Sequence, residues 1–220
     1  MKEILIVGDS SFAEIAYEYF THDSDFEVKG FVLDRPYINS EEKFGLPIVA
    51  FDELEQHFDP ETTGFHVAIP YANMNEVRSN FMNRMKLKKY SPVSYISSES
   101  FVWPNVNLGQ HIFIFENNTV QPYSQVGENT IIWSGNHIGH HSIIGNNVFV
   151  SSHVVLSGHC QIGNNTFIGV NATIANNVNI AEYNWIGMGA SIGKSTSPYE
   201  IYKAEITKPQ EKDVRGIFLK

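Results

Sequence analysis

The middle of the chain carries an aliphatic residue at every sixth position. Stepping by six from Ile96 to Ile192 gives 17 positions, and all of them are Ile, Leu or Val. At eight of these positions the next residue is Gly. A period of six matches neither an α-helix, which repeats after about 3.6 residues, nor a plain strand, which repeats after about two. It predicts a parallel β-solenoid whose aliphatic side chains stack in a continuous core.

The same pattern predicts the corners of the solenoid. Each six-residue unit would be a short strand plus a turn, and three units would complete a triangular coil of 18 residues, so that residues 18 apart share a column. Gly and Asn favour turns with a positive φ. We therefore expect the glycines that follow the aliphatic positions at the corners, together with the Asn pairs at 146–147, 164–165 and 176–177.

The first 95 residues alternate in a different way. Apolar runs typical of strands, KEILIV, EVKGFVLD and GFHVAIP, are separated by segments typical of helices, SFAEIAYEYF, FDELEQHF and NMNEVRSNFMNRMKLKKY. This alternation predicts a small parallel sheet with helices packed on it. The expected architecture is an α/β Rossmann-like domain over residues 1–95, an all-β solenoid of about five coils over 96–193, and a tail over 194–220.

The distribution of charge supports these boundaries. Residues 1–95 hold nine Lys or Arg and 16 Asp or Glu, whereas residues 96–193 hold no Lys, Arg or Asp and only four Glu. Six of the nine histidines fall in the middle segment. The net charge of −9 argues against nucleic acid as a partner, because phosphate contacts need Lys and Arg.

Composition also argues against a membrane protein and against a disulfide-bonded one. No apolar run approaches the ~18 residues of a membrane helix, and the N-terminus has no signal-peptide layout, so membrane insertion is not expected. The one cysteine, Cys160, excludes an internal disulfide and favours a cytoplasmic location. Its place two residues before an aliphatic position indicates a core thiol and not a nucleophile.

The turn after the first predicted strand suggests an anion site. Residues 8–13, GDSSFA, are a degraded form of the dinucleotide fingerprint G-x-G-x-x-G, which disfavours NAD binding. The helix N-terminus that follows can still hold a phosphate through backbone N–H groups. Asp34, at the end of the second predicted strand, could accept a hydrogen bond from a ribose hydroxyl or merely cap the following loop.

The repeat resembles the left-handed β-helix of the hexapeptide-repeat acyltransferases. A Rossmann-like domain joined directly to such a solenoid resembles one group among them, the NeuD/PglD-like sugar acyltransferases, over residues 2–195. Ala68-Ile69-Pro70 with Asn73 and Arg78 is similar to the A-I-G…N…R segment of this group, with Pro70 in place of Gly. The resemblance implies a homotrimer that takes acyl-CoA, expected to be acetyl-CoA, between its subunits.

The resemblance also implies the substrate and its contacts. The N-terminal domain would hold the nucleotide of an NDP-amino sugar used for surface-polysaccharide or glycan biosynthesis. Residues expected to bind it are Gly8, Asp9, Ser10, Asp34 and Asn73. Residues expected along CoA are Gly158, Val170, Gly187 and Lys194, and further tail cations for its 3′-phosphate are Lys203, Lys208, Lys212 and Arg215.

Residues 133–145, WSGNHIGHHSIIG, resemble the catalytic motif E-H-[DE]-C-x-I-G of this group. The resemblance implies that His140 is the general base, while His141 replaces the carboxylate that normally follows it. The 18-residue column places His141 between Tyr123 and His159. It places His140 between Pro122 and Gly158, which leaves open space around a base. His137 and His153 are secondary candidates.

Several interpretations remain open. We expect direct N-acylation of an amino group without a metal, and O-acylation is the nearest alternative. A γ-carbonic-anhydrase-like metalloenzyme would need three His ligands, but the usual H-x₃₅-H-x₄-H spacing is absent. In a non-catalytic solenoid, His141 and His159 would form a polar ladder at a subunit seam.

Overall fold

The computed structural model describes residues 2–209, and its N-terminal part is a parallel sheet with helices. The elements in chain order are β1 (Lys2–Val7), α1 (Ser11–His22), β2 (Phe26–Leu33), β3 (Glu42–Lys43), β4 (Leu46–Ala50), α2 (Leu54–His57), β5 (Thr63–Val67), α3 (Glu76–Leu87) and β6 (Ser91–Pro92), with 3₁₀ turns at Arg35–Tyr37 and Phe51–Glu53. The sheet order is β3-β4-β2-β1-β5-β6, and neighbouring strands run parallel except for β3 and β4.

Strand β1 explains why this sheet needs helices on both faces. Its last four residues are apolar and fully buried, because both faces of a central parallel strand are covered. One alternate set of side chains packs with Phe12 and Phe20 of α1. The other set packs with Met82 and Met85 of α3. The strand–helix alternation predicted from the sequence is confirmed.

The C-terminal part is a parallel β-helix whose strands follow the six-residue period. Each strand up to Ile192 is two residues long and ends on the aliphatic residue of its unit, and one further strand follows in the tail. The strands are β7 (Tyr95–Ile96), β8 (Phe101–Val102), β9 (Asn107–Leu108), β10 (Phe113–Ile114), β11 (Thr119–Val120), β12 (Gln125–Val126), β13 (Ile131–Ile132), β14 (His137–Ile138), β15 (Ile143–Ile144), β16 (Phe149–Val150), β17 (Val155–Leu156), β18 (Gln161–Ile162), β19 (Phe167–Ile168), β20 (Thr173–Ile174), β21 (Asn179–Ile180), β22 (Trp185–Ile186), β23 (Ser191–Ile192) and β24 (Ile201–Tyr202).

These strands form the three faces of a triangular prism. The first face contains β7, β10, β13, β16, β19, β22 and β24, the second contains β8, β11, β14, β17, β20 and β23, and the third contains β9, β12, β15, β18 and β21. Partners along each face from β7 to β23 are 18 residues apart, as in the pair Ile114 and Ile132. The aliphatic residues of the repeat form one core along the prism axis.

The corners of the prism contain residues with a positive φ, three positions after the aliphatic residue. The non-glycine residues in this series are His111, Asn117, Tyr123, Asn129, His141, Asn147, His153, His159, Asn165, Asn171, Asn177 and Tyr183. Asn tolerates this left-handed conformation better than most residues. The predicted corner role is therefore confirmed for the second Asn of each pair.

The prediction for the repeat glycines was wrong, because they do not adopt a positive φ. At seven of the eight, an added Cβ would lie less than 3.0 Å from an atom of the following chain, and only at Gly193 is there open space. A Cβ added to Gly163 would lie 2.6 Å from the carbonyl carbon of Ala181 and 2.7 Å from Cα of Glu182. Gly is therefore required at this position by the stacking of coils and not by the turn.

The N-terminal domain covers the first face of the prism. The outward residue of each strand on this face is apolar or aromatic. From β7 to β22 these residues are Tyr95, Phe113, Ile131, Phe149, Phe167 and Trp185. Their rings pack against Phe12 and Tyr19 of α1 and against Tyr71. The second and third faces carry mostly polar residues at the same position, such as Thr119 and Gln125.

Two buried histidines stack in the interface between the domain and the prism. The rings of His66 and His111 lie 4.3 Å apart between centroids and are nearly parallel. The Val67 N–H donates to Nε2 of His111 over 2.7 Å, and Nδ1 of His66 donates to the carbonyl of Val93 over 3.0 Å. Burial lowers the pKa of His66 to about 4 and lowers the pKa of His111 well below its ordinary value.

No helix formed by residues 2–209 combines the length and apolarity that a membrane crossing requires. After β23 the described part of the tail is irregular apart from β24. Lys194, Lys203 and Lys208 are exposed there. Lys212 and Arg215, which the sequence suggested for CoA, lie outside the described residues.

We predict that Gly163→Ala lowers the free energy of unfolding by about 1–3 kcal/mol, because the new methyl group collides with the backbone of the next coil. Gly193→Ala is the matched control. Gly193 also follows a core aliphatic residue, but a Cβ there would meet nothing within 4 Å. Urea denaturation followed by circular dichroism measures both. Equal effects of the two substitutions would contradict the steric explanation.

We predict that acid weakens the folded state through His66 and His111. Their folded-state pKa values are lowered, so the unfolded chain binds more protons. The stabilising contribution of the two neutral imidazoles is therefore fully present above a pH of about 6.5. As the pH drops toward 4, the free energy of unfolding falls by about 1.4 kcal/mol per pH unit for each imidazole. Urea midpoints at pH 7.5 and 5.0 test this. His66→Phe should flatten the dependence, and an unchanged slope in that variant would contradict the assignment.

Candidate active site

Three histidines meet at the corner between the second and third faces, which we call the histidine edge (Tyr123, His140, His141 and His159). His140 and His141 follow β14, and His159 follows β17. The ring of His141 stacks against His159 at 4.8 Å and against Tyr123 at 4.7 Å between centroids. All three imidazoles are exposed. The column predicted from the 18-residue period is therefore present.

The neighbours of His140 fix its orientation. Its Nδ1 lies 3.1 Å from Nδ1 of His141, so one of these nitrogens donates a hydrogen bond to the other. Its backbone N–H donates to Oε1 of Gln121 over 3.0 Å. A Cβ added to Gly158 would lie 2.8 Å from Cε1 of His140, so the imidazole occupies the space that a side chain at position 158 would fill.

The hydrogen bond between the two imidazoles can run in either direction. If His140 donates from Nδ1, then Nδ1 of His141 is the acceptor and Nε2 of His140 keeps its lone pair. If His141 donates instead, the proton of neutral His140 is on Nε2, and that nitrogen has no lone pair to offer.

The three imidazoles could also hold a metal ion. Within residues 2–209, His140, His141 and His159 are the one group of possible ligands that lie close together, with ligand atoms within 4.8 Å of one another. Imidazole nitrogen suits Zn²⁺ and similar transition metals. No carboxylate joins the group in the described part of the chain. A metal therefore belongs among the alternatives that an experiment must separate.

A pocket of about 630 Å³ lies at the carboxyl ends of the strands of the N-terminal sheet. All five residues predicted for nucleotide binding line it: Gly8, Asp9, Ser10, Asp34 and Asn73. Gly8 has a φ of 119°, and a Cβ there would lie 3.0 Å from the carbonyl oxygen of Ala68. Ser10 makes no side-chain capping bond with α1, so the first-turn N–H groups remain available to an anion.

Asp34 does not cap the loop that follows it. Its two carboxylate oxygens accept hydrogen bonds from the guanidinium of Arg84 over 2.9 and 2.5 Å. The same guanidinium lies over the rings of Phe51 and Phe81. A ribose hydroxyl that reaches Asp34 would therefore meet a carboxylate already held in place by a cation.

Several residues of this pocket were not predicted from the sequence. Residues of α3 also line it, namely Glu76, Val77, Asn80, Phe81 and Arg84. Their spacing of three and four residues marks one face of the helix, and that face could have been assigned to the pocket from the parallel-sheet prediction. The contact of Lys43 Nζ with the carbonyl of Asp9, at 2.8 Å, had no signal in the sequence.

The residues expected along CoA do not gather at one place in a single chain. Gly158 lies at the histidine edge, whereas Val170 and Gly187 lie at the corner between the first and second faces. Val170 is exposed. A Cβ on Gly187 would lie 2.8 Å from the carbonyl oxygen of Tyr202, so the start of the tail covers this glycine.

The pocket and the histidine edge lie on opposite sides of the prism. The N-terminal domain packs on the first face, through contacts such as Phe12 with Phe113. The histidine edge joins the second and third faces and is therefore the edge opposite the first. The solenoid stands between the two candidate half-sites of one chain.

Comparison with known proteins supports the fold. Residues 123–158 match the family model of the bacterial transferase hexapeptide (six repeats). No curated protein sequence matches the chain significantly. A histidine-to-asparagine variant of perosamine N-acetyltransferase from Caulobacter crescentus, in complex with CoA and GDP-perosamine, superposes with a TM-score of 0.77 at 20% identity, over 91% of each chain.

Two further structures give the same result. The acetyltransferase domain of PglB from Neisseria gonorrhoeae FA1090 has a TM-score of 0.70 at 17% identity, over 91% of this chain and 96% of that one. WeeI from Acinetobacter baumannii AYE has a TM-score of 0.57 at 14% identity, over 88% and 95%. The chain has the same fold as these three structures. The expected Rossmann-like domain followed by a left-handed β-helix is confirmed.

Proposed function

We propose that this protein is an acyl-CoA-dependent N-acyltransferase, with acetyl-CoA as donor and an amino group of a nucleotide-linked sugar as acceptor. The observation that carries the proposal is the exposed pair His140–His141, whose Nδ1 atoms lie within hydrogen-bond distance and which has no neighbouring carboxylate among residues 2–209. The pocket of the N-terminal domain is the second half of the site. Similar structures bind CoA and GDP-perosamine, which supports both substrates.

His140 acts as the general base in this mechanism. The sugar amine attacks the thioester carbonyl, a C–N bond forms, and Nε2 of His140 takes the proton that the nitrogen loses. When the C–S bond breaks, His140 returns this proton to the sulfur of CoA. His141 holds the Nδ1 proton of His140, so that the imidazole keeps the correct tautomer throughout.

The backbone beside His140 supplies an oxyanion donor. The Gly158 N–H has no hydrogen-bond acceptor within residues 2–209. The equivalent N–H one coil earlier, that of His140, donates to the side chain of Gln121. Gly139 is the residue 18 positions after Gln121, so it occupies the equivalent position one coil later. It has no side chain that could accept a hydrogen bond from the Gly158 N–H. This N–H is therefore free to stabilise the negative oxygen of a tetrahedral intermediate.

The nucleotide would be bound in the pocket of about 630 Å³. Its diphosphate meets the N-terminus of α1 at Gly8, Asp9 and Ser10, and its ribose reaches Asp34, which Arg84 holds. Asn73 also lines the pocket. Because Asp9, Asp34 and Glu76 line it too and Arg84 is paired with Asp34, the backbone N–H groups at the start of α1 are the main partners for phosphate.

The complete site requires a second copy of the chain. Because the prism separates the pocket from His140, the sugar held by one subunit must meet His140 of a neighbour, which supports a homotrimer. Tyr123, Ile143 and Val155 near the histidine edge are exposed apolar side chains that an assembly would cover. The neighbour's Val170 corner and the tail lysines Lys194, Lys203 and Lys208 would then line the CoA groove.

The remaining expectations stay part of the proposal. The functional units are residues 1–95 for the nucleotide sugar, 96–193 for acyl transfer and 194–220 for the CoA phosphate. The product would serve surface-polysaccharide or glycan synthesis in the cytoplasm. A hydroxyl acceptor needs stronger base assistance than a neutral amine, so the missing carboxylate favours N- over O-acylation.

We predict that His140→Ala lowers kcat/KM for acetyl transfer by about 10²- to 10⁴-fold, because the base is lost. His141→Ala should lower it less, since only the orientation of the base is lost. His141→Asp should retain activity, because Asp tolerates the left-handed φ of this position and accepts the same proton. Release of CoA thiol, with acetyl-CoA and a panel of NDP-amino sugars, measures all three.

A chelator experiment distinguishes this metal-free mechanism from that of a metalloenzyme. Treatment with EDTA should leave the transfer rate unchanged. Loss of activity on chelation, with recovery on adding Zn²⁺, would favour the metal alternative. Unchanged transfer in His140→Ala would remove His140 from the mechanism.

A further inference from the structure

One wall of the pocket has a strained backbone. The wall, residues 69–76, connects β5 to α3 and contributes Ile69, Pro70, Asn73 and Glu76 to the pocket lining. Asn73, Met74 and Asn75 have consecutive positive φ values of 48°, 50° and 69°. Such a run of non-glycine residues persists only where the surroundings fix it, and it is common at ligand sites.

Arg78 is the first residue that holds this strained backbone in place. Its side chain is fully buried, and it has no carboxylate partner among residues 2–209. A buried cation is tolerated only when its donors are satisfied. The guanidinium donates to the carbonyls of Ile69 and Pro70 on the wall, and to those of Asn129 and Val148 on the solenoid.

The guanidinium also reaches the strained residues themselves. It donates to Oδ1 of Asn75 over 3.0 Å, and Nδ2 of Asn75 faces the carbonyl of Thr166 at 3.4 Å. The planar fork of Arg therefore ties the strained backbone, the start of the wall and two solenoid coils together. A lysine would keep the charge but not this set of directions.

A column of residues at one corner of the solenoid also holds the strained backbone in place. Nδ2 of Asn165 donates to the carbonyl of Met74 over 3.1 Å. Asn165 accepts from Asn147, which accepts from Asn129, and Asn129 in turn bonds His111 at the end of the column. His111 accepts from the N–H of Val67, just before the wall. One column thus holds both ends of the wall.

We propose that Arg78 and Asn165 are positioning residues that hold the wall in its ligand-binding conformation from the solenoid side. Neither residue lines the pocket, so they act through the wall and not on the ligand. The solenoid would then determine nucleotide affinity as well as carry the acyl-transfer base. The identity of the ligand, a nucleoside diphosphate sugar, rests on the proposed function.

The test compares two asparagines with the same backbone conformation. Asn165→Ala removes the hydrogen bonds to Met74 and from Asn147. Asn117→Ala is the matched control, since Asn117 has the same φ of 58°, is exposed, and lies at the corner between the first and second faces without a side-chain hydrogen bond among the described residues. Both lose the asparagine preference for the left-handed region, so a difference between them reports the side-chain contacts of Asn165. Arg78→Lys is the third variant.

Two readouts are measured on the full-length protein. Hydrogen–deuterium exchange reports the order of residues 69–76, where the Asn75 and Glu76 amides bond within the wall. Calorimetric titrations with GDP, UDP, dTDP and CoA, each alone, report affinity. Asn165→Ala and Arg78→Lys should speed exchange in the wall and weaken the nucleotide Kd by about 5- to 10-fold, with the CoA Kd unchanged. Asn117→Ala should behave like wild type in the wall.

Equal exchange of the wall in Asn165→Ala and Asn117→Ala would overturn the proposal. So would wild-type exchange and affinity in a folded Arg78→Lys variant, because charge alone would then suffice. If Arg78→Lys does not fold, the asparagine pair decides the question. If no nucleoside diphosphate binds even the wild type, the proposed function fails, and the exchange comparison still decides whether the solenoid orders the wall.

Discussion

The rest of the structure depends on the stacking of identical 18-residue coils around one aliphatic core. Because the inward residue recurs every six positions without interruption, every other position is also fixed relative to its neighbours above and below. This constraint brings His141 into contact with His159 and Tyr123. It also places repeat glycines such as Gly163 where the next coil leaves no room for a side chain. The geometry of the histidine edge is thus a direct consequence of core packing.

The same constraint explains which parts of the structure could be predicted from the sequence. The strand positions, the column of His141 and the corner asparagines follow from the period alone. The reason for the repeat glycines was misjudged, because a period shows that a position is special but not whether φ or space makes it so. The large apolar and aromatic residues that recur every 18 positions, from Tyr95 to Trp185, also carried an unused signal for the covered face.

Contacts between residues that are distant in the sequence could not be predicted. The hydrogen bonds of Arg78 depend on how α3 is seated against the prism, and no local pattern encodes that docking. The ion pair between Asp34 and Arg84 joins residues 50 apart. Such pairs are set by tertiary packing, whereas propensity and periodicity describe only the nearby chain.

The proposed function makes assembly part of the chemistry, because of where the two candidate half-sites lie. The domain covers one face and His140 lies at the opposite edge, so the pocket and His140 of one chain lie on different sides of the prism. A closed cyclic oligomer satisfies both, since each subunit then gives its base to one neighbour and takes one from the other. The exposed apolar residues beside the base are consistent with such a seam.

The most direct test of this account is subunit complementation. One chain carries His140→Ala, and the other carries Ser10→Glu, which places a carboxylate at the proposed phosphate site. Each variant is assembled alone and in mixtures, with the oligomeric state checked by light scattering, and acetyl transfer is measured. The account predicts that each variant alone is inactive and that mixed assemblies recover activity. Inactivity of every mixture, with assembly intact, would contradict a site shared between subunits.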